Sequence, residues 1–352
     1  MKVYAGMDLR LPLREVGSYA ARVERLGYDG LHVAETVHDS LAVALLALEH
    51  TERIVVRTSV ALAFVRSPML TAYAAWDLAT FSRGRFELGL GTQIAQNIVG
   101  RYSMPWGDPV GQMRDYLASL DEIFARFADG GPLRFGSEHY RFDRLQPYFN
   151  PGPAPGTAPP PLWLGGVNAG ICRLAGERAA GFVTHPTNSN PRYLDQIALP
   201  ALAAGAQATG RSLGDLELVA GSPYITGSTA ANVAREREHQ RRMLAFLYST
   251  PAYRRTLELH GWADLGERLQ AMTRQGRWDD LAALVTDDVL DALVPQGTYD
   301  ELPAVIERWF SGRATGVIVP PSSDPSGDGA TAALVAAVQA LPGHRLGAPK
   351  GP

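Results

Sequence analysis

The stretch Tyr19-Ala-Ala-Arg-Val-Glu-Arg-Leu-Gly-Tyr-Asp-Gly-Leu-His-Val-Ala-Glu-Thr36 decides the fold. Val16, Tyr19, Ala20, Val23 and Leu26 recur at helical spacing and form one apolar stripe, the mark of a helix laid on a sheet. Gly27 fits the left-handed position that ends a helix. Leu31 and Val33 then begin a buried strand, and Glu35 and Thr36 fall at its C-terminal edge. In parallel α/β folds that edge carries the ligand site.

The same alternation continues along the chain. Strand-like runs are read at Lys2 to Asp8, Leu31 to Val33, Ile54 to Val60 and Phe86 to Thr92, then at Pro161 to Gly166, Gly181 to His185, Leu216 to Gly221 and Gly316 to Pro320. Helical patterns separate them. Strands apolar on both faces and joined by helices imply a parallel sheet. Eight such runs match the number that closes a (β/α)8 TIM barrel; an open doubly wound sheet is the alternative. We read residues 1–340 as one domain. Two stretches interrupt the pattern: a proline-rich connection at 150–161, and a helical insertion at 228–295 between the seventh and eighth strands. Residues 341–352, rich in Gly and Pro, are expected to form a flexible tail.

Composition narrows the function. Among 352 residues the net charge is −3, which gives no general attraction to nucleic acid or anionic membrane. No run is apolar enough to span a bilayer, and no signal peptide is visible. Cys172 is the single cysteine, which suits a reducing cytoplasm. The eight histidines are scattered without metal-ligand spacing, so no metal site is expected. No Gly-x-Ser-x-Gly elbow points to a serine hydrolase. Ionisable groups at several strand ends are the candidates for catalysis: Asp8 after strand one, Glu35 and His38 after strand two, and His185 after strand six. Each also has a plain reading as a structural or solvated side chain.

Several motifs, in shared order, resemble the luciferase-like family of flavin and deazaflavin enzymes, most closely its actinobacterial branch that uses coenzyme F420. They are Leu26-Gly-Tyr-Asp-Gly30, Arg57-Thr-Ser-Val-Ala61 through Arg66-Ser-Pro68, Arg83-Gly-Arg-Phe-Glu-Leu-Gly-Leu-Gly91, Pro161-Leu-Trp-Leu-Gly-Gly166 and Gly181-Phe-Val-Thr-His-Pro186. Ser249-Thr-Pro-Ala-Tyr-Arg254, His260-Gly-Trp262 and Thr286-Asp-Asp-Val289 fit one subfamily.

The resemblance implies an oxidoreductase that moves hydride between F420 and a small organic substrate, working as a cytoplasmic homodimer. A two-component monooxygenase using reduced FMN and oxygen is the first alternative, and a non-redox or binding protein the second. It also implies a cofactor site. Ser59, Val60 and Ala61 would buttress the ring, with a non-proline cis bond at Ser59–Val60. Glu35 and Asn97 would contact the ring, and Gly165, Gly166, Val167 and Asn168 would bind the phosphate at a helix N-terminus. Glycines at 89 and 91 would let the backbone approach a flat ring; the other reading is tight strand packing. Relatives often add a lysine at the phosphate, and here Arg173 or Arg178 would replace it. The similar sugar-phosphate dehydrogenases carry Asp-His after strand two and Glu after strand four. Here those positions are Glu35-Thr36 and Ile94, so that activity is not expected.

Overall fold

Strand pairing closes on itself. The computed structural model describes residues 1–342 and Leu346. Its main strands are β1 (Lys2–Gly6), β2 (Gly30–Val33), β3 (Val55–Thr58), β4 (Phe86–Gly91), β5 (Leu162–Gly166), β6 (Gly181–Thr184), β7 (Glu217–Ala220) and β8 (Gly316–Ile318). Each pairs in parallel with the next, β8 returns to β1, and β3 pairs with β4 through Val56↔Phe86. The result is a closed (β/α)8 TIM barrel rather than an open sheet.

Each strand is followed by a helix on the outer wall: α1 (Val16–Arg25), α2 (Ser40–Glu49), α3 (Pro68–Phe81), α4 (Pro109–Asp129), α5 (Ala169–Arg178), α6 (Leu199–Ala208), α7 (Leu302–Phe310) and α8 (Asp328–Gln339). Local chemistry sets their ends. Asp39 and Asp108 accept backbone N–H bonds at the starts of α2 and α4. Gly27 at φ 85° and Gly130 at φ 70° take the left-handed turn after α1 and α4. Val16, Ala20 and Val23 of α1 are buried, as their spacing requires.

Alternation along the strands makes two cores. One set, including Val3, Leu31, Val56, Leu88 and Phe182, packs outward under the helices. The other, including Tyr4, Trp163, Val183 and Val219, fills the barrel. The filling is partly charged. Arg57 lies inside at 1% exposure, in a run that reads as almost wholly apolar. Its guanidinium stands 3.3 Å from the Trp163 ring centre and 4.9 Å from that of Tyr4. It donates to His32 Nε2 at 2.9 Å and, through Nε, to Glu87 at 2.6 Å. The register pairs His32↔Arg57 and Arg57↔Glu87 place the three side by side across β2, β3 and β4.

The 228–295 stretch contains four helices, Ala230–Tyr248, Arg255–Leu259, Ala263–Arg274 and Asp287–Leu293. They close over a separate apolar core that includes Leu244, Tyr248, Leu257, Leu269 and Leu290. Two short parallel strands, Ile225–Gly227 and Gln296–Thr298, clasp the two ends of the stretch. Residues 150–161 run without helix or strand, after an antiparallel pair at Phe135–Gly136 and Arg141–Phe142. Of the expected tail, Leu346 is 2% exposed and joins the outer core; 343–345 and 347–352 lie outside the described residues. Among the described residues no helix is long and apolar enough to cross a membrane.

Candidate active site

The C-terminal ends of the strands carry the polar residues singled out in the sequence. Glu35, Thr36, Val37, His38, Asp39, Val65, Arg66, Arg101 and Tyr102 line a cavity of about 350 Å³ on the β2–β3–β4 side. Its frame is an ion-pair cluster. Arg66 bonds both oxygens of Glu35, at 2.5 and 2.8 Å, and Asp39 at 2.6 Å. Glu35 also accepts the Leu62 N–H at 2.8 Å and the Ser40 hydroxyl at 3.3 Å. Burial opposes the Arg66 charge, but the two carboxylates outweigh it and raise the arginine pKa. Burial would likewise raise Asp39, and the Arg66 bond reverses that and lowers it. Glu35 is thus fully engaged in holding the β3 loop against the β2 loop. Thr36 keeps a buried hydroxyl without a partner, and its carbonyl accepts from Arg101 at 2.5 Å.

β3 does not simply end. It breaks after Thr58 and resumes as Ala61–Leu62, which pairs with Leu90–Gly91 of β4. The Ser59–Val60 peptide between them is cis. Val60 then occupies space that two absent side chains, at Gly91 and Gly165, leave open. A Cβ on Gly165 would stand 2.7 Å from Val60 Cγ1, one on Gly91 would collide with Val60 Cγ2, and one on Gly89 would strike the Thr58 carbonyl. These glycines admit the neighbouring strand, so of the two readings of the glycine motif the packing one describes positions 89 and 91. Gly166 is similar: its Cβ would lie 2.8 Å from Ile171 of α5. Asn97, on the short helix Ala95–Gly100, keeps its amide free of protein hydrogen bonds among the described residues.

At the end of the neighbouring strand β5, Asn168 begins α5 without a side-chain cap. The first N–H groups of that helix therefore face outward with their partial positive charge. The loop before it is held from the side. Tyr193 donates its hydroxyl to the Val167 carbonyl at 2.5 Å, and Asn188 donates to the Gly166 carbonyl at 3.3 Å. The Asn188 side-chain oxygen is buried and has no partner. Arg173 pairs with Glu177 and Arg178 with Asp121, so neither serves this helix start.

His185 lies one residue beyond the register pair Gly166↔Thr184, next to that loop. Its ring stacks on Tyr253 of the insertion, with centroids 4.5 Å apart and planes 20° from parallel. Burial lowers its pKa to about 4. Asp8 is exposed at the end of β1, accepts the Arg10 N–H in its own turn, and is absent from the cavity lining. The structure therefore places Glu35, His38, Ser59 to Ala61, Asn97, Gly165 to Asn168 and His185 at the C-terminal ends of the strands, with Gly165 packed against Val60. Arg66, Arg101, Asn188 and Tyr253 join them without having been singled out for the site. Arg66 and Tyr253 each stood inside a quoted motif, without a role; the partners of Arg66 lie 27 and 31 residues away.

Residues 3–317 match the luciferase-like monooxygenase family. A protein of Mycobacterium tuberculosis is 38% identical over 300 residues, covering 85% of this chain and 88% of the relative. A 5,10-methylenetetrahydromethanopterin reductase of Archaeoglobus fulgidus is 27% identical over 249 residues, 69% of this chain and 68% of that protein. Among solved structures, the coenzyme F420 dependent tetrahydromethanopterin reductase from Methanopyrus kandleri superposes with a TM-score of 0.77 at 19% identity, over 96% of this chain and 98% of that one. The extent of the match leaves no other assignment: the chain belongs to the luciferase-like monooxygenase family.

Proposed function

We propose that this chain is a coenzyme F420-dependent oxidoreductase acting on a small organic molecule. One observation carries the reading: the end of β5 packs Gly165 against the Val60 side chain and leads into the uncapped N-terminus of α5, with the partnerless Asn188 oxygen beside Gly166. A phosphate fits the helix start, a hydroxyl-bearing linker the Asn188 oxygen, and the apolar Val60 side chain suits the face of a flat ring. The Methanopyrus structure, described as a coenzyme F420 dependent reductase, supports F420 as the group concerned.

On this reading the backbone N–H groups after Gly166, Val167 and Asn168 hold the phosphate, and Asn97 hydrogen-bonds the ring edge. Glu35 acts by position: through Arg66 and Leu62 it fixes the segment that carries Val60. When bound, F420 supplies hydride transfer to or from a carbon of the substrate. The chain orients the reactants and excludes water. A cavity of about 350 Å³ admits a compact substrate. His38 lines that cavity; His185, at the end of β6 and outside its lining, is the second group assigned here to bonding or protonating the substrate.

Fluorescence titration of the purified protein with F420 and with FMN tests the proposal. F420 is expected to bind at least tenfold more tightly. Preference for FMN, with oxygen uptake on reduction, would replace it with the monooxygenase reading.

A further inference from the structure

The insertion bonds to the barrel mouth at the segment that follows β6. Tyr248 donates its hydroxyl to the Thr187 carbonyl at 2.7 Å. Arg192 donates to the Leu259 carbonyl at 2.9 Å, and His260 Nε2 lies 3.3 Å from the Asn190 side-chain oxygen. Thr187, Asn188, Ser189 and Asn190 are each at most 2% exposed, although all four are polar. Three of these four bonds or stacks hold backbone or a cap. The fourth, Tyr253 on His185, holds a ring whose chemistry is defined from the other side.

His185 Nδ1 accepts the Thr187 backbone N–H at 3.4 Å and lies 2.9 Å from the Thr187 hydroxyl. A backbone N–H can only donate, so Nδ1 carries no proton and the ring proton sits on Nε2. Among the described residues Nε2 has no hydrogen-bond partner. A donor fixed at the rim of the barrel and left unmatched calls for an acceptor that arrives from outside.

We infer that Tyr253 is a positioning residue, supplied by the insertion, that holds His185 in the tautomer presenting Nε2–H to a carbonyl or alcohol oxygen of the substrate. The inference rests on the proposed function only for the word substrate. Stacking covers one face of the imidazole and fixes its plane, while Thr187 fixes its rotation. The insertion thereby selects oxygen-bearing substrates through one aromatic contact. The other ionisable groups near this segment include Tyr193, Tyr248, His260 and Arg192, with Arg255 and Cys172 acting on Tyr193, and among the described residues no carboxylate bonds to it. Burial, which lowers the His185 pKa to about 4, keeps the ring in this form through neutral pH.

The test needs neither cofactor nor turnover. The full chain is labelled with 15N in its histidine rings, and the His185 signals are assigned with His185→Gln. The wild type and Tyr253→Phe are expected to show the Nε2–H tautomer unchanged between pH 7.5 and 5.5. In Tyr253→Ala the ring should populate both tautomers and titrate within that range. Tyr253→Leu replaces the alanine variant if circular dichroism shows misfolding. Cyclohexanone should shift the Nε2–H signal, and its isostere methylenecyclohexane, which lacks the oxygen, should not. A Tyr253→Ala spectrum identical to the wild type would overturn the positioning role. Equal response to the two ring compounds, or none to either, would overturn the oxygen acceptor. A preference for FMN in the cofactor titration alongside the expected spectra would overturn the proposed function and leave this inference standing.

Discussion

Two arginines organise this protein, and they differ in what surrounds them. Arg57 is sealed in the barrel between Trp163 and Tyr4, with Glu87 and His32 as its polar partners. Arg66 lies at the mouth, shared by Glu35 and Asp39, and lines an open cavity. Both bind carboxylates, but the Arg57 side chain is 1% exposed whereas that of Arg66 is 13% exposed and shares the half-exposed Asp39. The sealed cluster gives the barrel a defined interior; the open one can adjust when a ligand enters. A buried ion pair is not by itself a large source of stability, whereas removing one partner of it is costly.

The largest expected effect separates the two directly. Arg57→Ala leaves the Glu87 carboxylate and a void inside the barrel, and should cost about 3–5 kcal/mol in urea unfolding. Arg66→Ala should cost about 1–2 kcal/mol, because water reaches Glu35 through the cavity and Leu62 still donates to it. Equal losses would erase the distinction.

Acid provides the second test. His32 in the sealed cluster is held well below its ordinary pKa, chiefly by burial and further by Arg57. His185 is lowered to about 4 by burial. Both bind protons more readily unfolded than folded, so their contribution is complete above about pH 6.5 and is lost as pH falls from there toward 4. Each adds a slope of at most about 1.4 kcal/mol per pH unit in that window. Thermal unfolding should show falling stability from pH 6.5 to 4.5, and His185→Gln should reduce the slope by about half, leaving the part due to His32. A flat profile in that variant would mean that the interior is not sealed against protons.

The smallest effect sharpens the open side. Glu35→Gln keeps an acceptor for Leu62 but loses the charge opposite Arg66, and should cost about 1 kcal/mol of stability. F420 affinity should change less than tenfold. A larger loss of affinity at unchanged stability would put the Glu35 carboxylate on the cofactor itself.

The barrel was legible because its strands are buried on both faces, which leaves apolar runs that the helices punctuate. Val3, Leu31, Val56 and Leu88 on the outer face, with Tyr4, Val183 and Val219 on the inner one, show this directly. Arg57 was not legible: nothing local says that a charge in the third run turns inward, since its partners stand 25 and 30 residues away and meet it only after the sheet closes. The short pair Ile225–Gly227 and Gln296–Thr298 escaped for another reason, being three residues long and without alternation. At the site, strand ends pointed to Glu35, His38 and His185, because position along a strand is a sequence property. The space filled by Val60 is a property of three strands at once. Glycines at 89, 91 and 165 show that a side chain is missing but not what takes its place.

The clasp between Ile225–Gly227 and Gln296–Thr298 has a consequence for how such proteins diversify. Paired strands lie about 4.8 Å apart, so the chain leaves the barrel and returns to it at nearly the same point. Everything between is a cassette with its own core. Its length and sequence can be exchanged without moving β7 or α7. Through Tyr253, an exchange rewrites the rim beside His185 while the half of the mouth built by β2, β3 and β4 stays as it is. One barrel can therefore be retargeted by trading a single hinged module, and new specificities need not wait for compatible changes throughout the scaffold.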